Sequence, residues 1–169
     1  MGYDMYGIGN DAYLRRSIGG IGGLREFLIR TGAGFDDYEF RSAWSGETEN
    51  PAGRWPEHPG KEHFEQVPVP GWRDQDGNPV LVQGQPVTDE GRRYAEEAER
   101  FRRWRPERPG IPLHKLSDNS GWVVTAAECK EAVEAIRSWE QEGHRVDEYH
   151  EDVVRFLEVC ADGDGFEVW

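Results

Sequence analysis

The sequence holds only two cysteines, Cys129 and Cys160, and its apolar residues are broken into short stretches. The first scarcity argues against the disulfide framework of a small secreted scaffold, and the second excludes the ~20-residue apolar run of a membrane-spanning helix. Its opening residues, MGYDMYGIG, have no basic segment followed by an apolar one, so no secretory leader is expected and the setting reads as cytoplasmic. Basic residues are scarce as well: 20 Lys and Arg face 33 Asp and Glu, a formal charge of -13. Such a field repels bare nucleic acid and anionic membrane and speeds encounter with a basic partner.

What is present is uneven. Residues 1–70 carry 7 basic and 11 acidic groups, residues 71–110 carry 8 of each, and residues 111–169 carry 5 and 14, so the acid gathers in the last third. Hydrophobic residues make up 36% of the 169, with 21 Gly and 10 Pro, so part of the chain must be loop; the 12% of aromatic residues argues against disorder. A chain of this length supports one core that buries roughly 70% of the surface exposed by the unfolded chain.

The densest local signal is Gly110–Ile136. Asn119, Ser120 and Gly121 form turns, Trp122, Val123 and Val124 favour a strand, and Thr125 with Glu128 is a capping box that opens a helix whose apolar stripe is Cys129, Val133 and Ile136. A second helix of the pair is expected from Val146 to Cys160, about three residues after the first, with Gly163 as its cap and Phe166–Trp169 as a closing strand that pairs with Trp122–Val124. Cys129 and Cys160 both fall on apolar stripes and read as small buried hydrophobes.

Upstream, Gly2–Tyr6 and Tyr13–Ser17 are weak strands, interrupted by Asp4, Arg15 and Arg16. Ile21, Leu24, Phe27 and Leu28 recur at helical spacing, with Gly19–Gly23 ahead of the helix and a glycine stop near Gly32. Residues 35–64 read as a long irregular loop that contains Trp44 and Trp55. Val67–Val82 reads as a hairpin turning at Gly77, its prolines confining it to a sheet edge. Thr88 caps a further helix that runs to about Arg105. The fold class is therefore α+β: a single domain of about four helices on a small mixed or antiparallel sheet with an edge hairpin.

Motifs with chemical content are few. Gly7-x-Gly9-x-x-Ala12 has dinucleotide-fingerprint spacing but lacks the apolar strand before it, and neither His58–His63 nor His144–His150 has the spacing of a metal site. No cofactor and no metal are implied. The polar group His114, Ser117, Asp118 and Ser120, held between Pro112 and the capped helix, is the candidate catalytic site. His114 and Asp118 would serve as acid and base and Ser117 or Ser120 as nucleophile.

The run GIPLHKL from Gly110 to Leu116, followed by NSGWVVT from Asn119 to Thr125, resembles a motif of small uncharacterised proteins of actinobacteria and their phages, and the terminal MGYDMY and GFEVW are similar to those proteins too. The resemblance implies a fold and a bacterial or phage setting, and no activity. The leading functional expectation is a non-enzymatic protein-interaction role, that of a small acidic inhibitor, immunity-type or regulatory protein, with Trp44, Trp55 and Trp72 as anchors for a basic partner. The alternatives are a hydrolase or transferase using the His114–Ser120 loop, and a DNA mimic.

Overall fold

Strand β1 (Gly2–Gly7) turns back into β2 (Tyr13–Ser17) with Met5 opposite Leu14, and the inward positions of both strands are Met5, Leu14 and Arg16. Arg16 is tolerated there because its guanidinium bonds Asp152 at 2.6 Å and lies over the Tyr149 ring. A computed structural model describes residues 2–37 and 52–169. They form two compact units: one comprises Arg102–Trp169 with the described part of Met1–Gly53, the other Arg54–Phe101. The fold is α+β, with four helices among the described residues.

In the first unit, α1 (Ile18–Arg30) follows β2 at once, because Ser17 accepts the Gly20 N–H as its N-cap. The helix thus starts at Ile18 and takes in the whole glycine run that was expected to precede it. Each glycine costs about 1 kcal/mol of helix propensity relative to Ala, and burial of Ile21, Leu24, Phe27 and Leu28 overrides that cost. Gly32, at a φ of 73°, ends the helix as expected. The two-residue strand β3 (Gly34–Phe35) follows.

The C-terminal part of this unit is strand, helix, helix, strand: β7 (Trp122–Val124), α3 (Ala126–Gln141), α4 (Glu151–Asp162) and β8 (Phe166–Val168). The Thr125–Glu128 capping box forms. Strands β7 and β8 pair antiparallel, Trp122 against Val168, and β1 takes the other edge of β8, so the sheet order is β2-β1-β8-β7. Helix α4 begins five residues later than Val146. Asp147 makes the difference: its carboxylate and carbonyl both bind the His150 N–H and hold a turn, so residues 142–150, and not three residues, link the helices. Both cysteines are buried and free in this core, and burial pushes the Cys160 thiol up to about 11 and the Cys129 thiol up as well.

The unit's remaining strand, β6 (Ile111–Pro112), pairs parallel with β3. The second unit holds β4 (Phe64–Arg73), β5 (Pro79–Pro86) and, as far as Phe101, α2 (Asp89–Arg102). The hairpin is longer than expected and forms a two-stranded sheet by itself. Its turn is organised by Asp74, which accepts N–H bonds from Asp76 (3.0 Å) and Asn78 (2.8 Å), with Gly77 at a φ of 83°. Thr88 accepts the Gly91 N–H at the start of α2, and Ala98 and Phe101 are buried. The helix stops at Arg102, before the expected Arg105, which reaches Glu131 through two hydrogen bonds. The expected loop at 35–64 contains β3 at its start and a 3-10 turn at Lys61–His63 at its end; residues 38–51 lie outside the described residues. No helix among the described residues is long and apolar enough to cross a membrane.

Two glycines separate conformational from steric cost. Gly143 has a φ of 96° with nothing within 4 Å of an added Cβ, whereas at Gly165, φ 93°, that atom would lie 2.0 Å from the Val124 carbonyl oxygen. Gly143→Ala is expected to cost ~1 kcal/mol and Gly165→Ala at least ~3 kcal/mol, because the second also forces β7 and β8 apart. Urea unfolding of both variants checks the order.

Candidate functional site

The segment Leu113–Leu116 follows Pro112 as a 3-10 turn, and all four of its side chains are buried, His114 and Lys115 included. The polar group read from the sequence is thus split, its first half inside the protein and its second half outside. His114 donates its backbone N–H to Asp37 Oδ1 (3.1 Å), and its Nδ1 bonds the other carboxylate oxygen. The ring lies 4.8 Å from that of Trp122, edge to face, and also beside Trp104. Burial drives the imidazole toward its neutral form and holds its pKa below the ordinary value, with Asp37 opposing.

Lys115 points into the core on the side of α3. Its Nζ donates to both oxygens of Glu128, at 2.8 and 2.9 Å, and to the Arg103 carbonyl at 3.4 Å. The same carboxylate accepts the Thr125 N–H (2.7 Å) and hydroxyl (3.0 Å). Glu128 therefore closes the helix cap and neutralises a buried cation with one group. Burial pushes the Lys115 pKa down, and Glu128 counters it. The capping box was legible in the sequence. Its second role was not, because nothing near Lys115 in the sequence announces that it turns inward, and a capping glutamate ordinarily faces water. Asp37 carried no signal either, lying 77 residues from its partner.

Ser117 donates its hydroxyl to the His114 carbonyl, and Asp118 accepts the Ser120 N–H and the Trp122 indole N–H, each at 3.0 Å. Ser120 is exposed. The carboxylate at the His114 ring is thus Asp37, and Asp118 is engaged in an Asx turn and in fixing Trp122, whose ring His114 touches. The Ser117 hydroxyl is thus bonded to the His114 backbone and not to its ring. Among the described residues no three His, Cys, Asp or Glu side chains gather as a metal-binding group.

The three tryptophans named as anchors fall differently. Trp44 lies outside the described residues. Trp55 packs edge-on against Phe101 and remains partly exposed, and Trp72, on β4, is 67% exposed. The ribbon leaves Val67, Leu81 and Val82 exposed too. Near its base, Glu57, His58, Glu90, Arg93, Tyr94 and Glu97 line a groove of about 420 Å³, and His58 Nε2 is bonded to Gln83 Oε1 at 2.7 Å.

Two measurements check the buried groups. Glu128→Gln keeps a cap acceptor but leaves the Lys115 cation unpaired in the interior, so it is expected to cost about 3–5 kcal/mol, and Lys115→Met with Glu128→Gln should recover part of that loss. Denaturant titration of the single and double variants reads the difference. For His114 the folded pKa lies below the ~6.5 of an unfolded histidine, so the unfolded chain takes the proton first. Its contribution is complete above that pH and is lost as pH falls through the folded value. The urea midpoint should thus drop between pH 7.5 and 5.5, by less in His114→Gln.

Comparison of the chain with protein-family models, curated proteins and solved structures finds no match, so the geometry of these residues is what bears on function.

Proposed function

We propose that this protein is a non-enzymatic interaction protein, an acidic inhibitor, immunity-type or regulatory factor whose partner is a basic protein. The observation that carries the reading is the ribbon of β4 and β5, on which Trp72, Val67, Leu81 and Val82 all face solvent. Apolar side chains on a two-stranded sheet have little of their own chain to cover them, and exposed aromatic and aliphatic groups are what interface anchors look like. The charge supports a basic partner: residues 54–101 hold 10 acidic and 6 basic groups, and residues 111–169 a larger excess. A bacterial or phage setting, in the cytoplasm, accords with the motif at Gly110–Thr125 and with free cysteines.

The catalytic alternative has less support. Its acid and base, His114 and Asp118, engage different partners, and His114 is 1% exposed.

Affinity capture from host lysate, compared between the wild type and Trp72→Ala, tests the reading. The expected result is one basic protein whose recovery falls with salt and whose Kd rises at least ~30-fold in the variant, since a hot-spot aromatic is worth about 2 kcal/mol or more. A captured protein held equally by both forms, and insensitive to salt, would overturn it.

A further inference from the structure

The two edges of the β4–β5 ribbon are chemically unequal. Pro68 stands opposite Leu81 in the register, directly after the pairs Gln66 with Gln83 and Val67 with Val82. In an antiparallel ladder, alternate pairs exchange both N–H···O bonds and the others turn those groups outward. Proline has no N–H, so the Pro68–Leu81 pair is of the outward kind and the bonded pair is Val67–Val82. It follows that Gln66 and Pro68 face outward on β4, and Leu81 and Gln83 face outward on β5.

The consequence differs on each side. On β4 the outer row loses a donor at Pro68, and Pro70 lies two residues further on, where the register breaks before Arg73. That edge cannot accept a continuous new strand. On β5 the outer row keeps the N–H and C=O of both Leu81 and Gln83, exposed residues against which no further strand pairs among the described residues. Among the described residues, the side chain of Gln83 is engaged by His58.

Resting on the interaction reading above, we infer that the outer edge of β5, at Leu81–Gln83, is where the basic partner docks, adding an extended Lys- or Arg-bearing segment as a third strand. The occupant's charge follows from the ribbon. Between Phe64 and Pro86 the acidic groups are Glu65, Asp74 and Asp76, against the single base Arg73. This excess repels a second copy of the same edge and attracts a cationic strand. Main-chain bonds to Leu81 and Gln83 supply affinity, and alternate side chains of the guest meet Leu81 on one face and Val82 on the other.

The probe is a nine-residue peptide of alternating valine and lysine, with two relatives: one with glutamate for lysine, one N-methylated at alternate residues. Amide exchange followed by NMR reads the edge directly. The Leu81 and Gln83 amides should exchange rapidly in the protein alone and at least tenfold more slowly with the valine–lysine peptide, and the N-methylated peptide should give no protection. Leu81→Pro removes an outward donor without touching the inner ladder. It should weaken peptide binding at least tenfold while the Val67 and Val82 amides stay protected, which shows that the ribbon is intact. Peptide binding that leaves Leu81 and Gln83 unprotected, or that survives Leu81→Pro, overturns the edge and leaves the interaction reading standing. Equal protection by the glutamate peptide overturns the basic occupant and, with it, the charge argument of the interaction reading. Protection that grows with protein concentration and needs no peptide assigns the edge to a second copy and overturns the inference.

Discussion

A single buried carboxylate, Glu128, holds together three pieces of chain that would otherwise be independent. It receives the Lys115 ammonium from the 3-10 turn, it closes the helix through the Thr125 N–H and hydroxyl, and Lys115 in turn reaches the Arg103 carbonyl. Neither ion is solvated, so each depends on the other to offset a desolvation cost of several kcal/mol. Such a pair adds little net stability. What it does fix is position, since a Lys115 that misses Glu128 has nowhere acceptable to go. The turn that carries His114 is thereby locked against α3, and Asp37 holds the same turn from the other side through two bonds to His114.

Structure was legible in the sequence where a few neighbouring residues determine it. Thr125 and Glu128 are three apart, Asp74 and Gly77 make their turn within five residues, and β7 and β8 follow from short β-forming runs. Legibility failed where a distant group changes the value of a residue. Arg15 and Arg16 weakened the strand reading because nothing nearby announces Asp152 as the partner that lets Arg16 face inward. Glycine pushed the expected start of α1 late because propensity is local while burial of Ile21 and Leu24 is not. Val146 and Tyr149 fit the helical period of α4, yet a carboxylate two residues before Tyr149 prefers to cap a turn. The candidate site failed in the same way: a run of polar letters says nothing of which will be buried, and the carboxylate beside His114 comes from 77 residues upstream.

The polar groups of the core and the apolar groups of the surface are each out of their usual place, and the contrast separates their roles. Lys115, Glu128 and His114 are enclosed and bonded, so they organise the first unit. Trp72, Leu81 and Val82 are open, on a ribbon whose own two strands bury little, and burial against another molecule is what would stabilise them. Residues that are costly inside and residues that are costly outside thus lie in different units, and on the proposed interaction reading they divide scaffold from contact surface.

The order of strands has a further consequence, for synthesis. Strand β1 lies between β2 and β8, with Met5 opposite Val168, and Asp4 and Trp169 exchange backbone hydrogen bonds in both directions. While the chain is being translated, β1 and β2 are made well before β8, and the edge of β1 that β8 takes stays open until then. The four-stranded sheet cannot close until β8 has left the ribosome, because contacts this far apart in sequence form only after everything between them has been made. A nascent chain halted before Phe166 would present a two-stranded hairpin with Met5 and Leu14 uncovered. For this fold Phe166–Val168 are the residues whose arrival turns an open-edged hairpin into a closed four-stranded sheet.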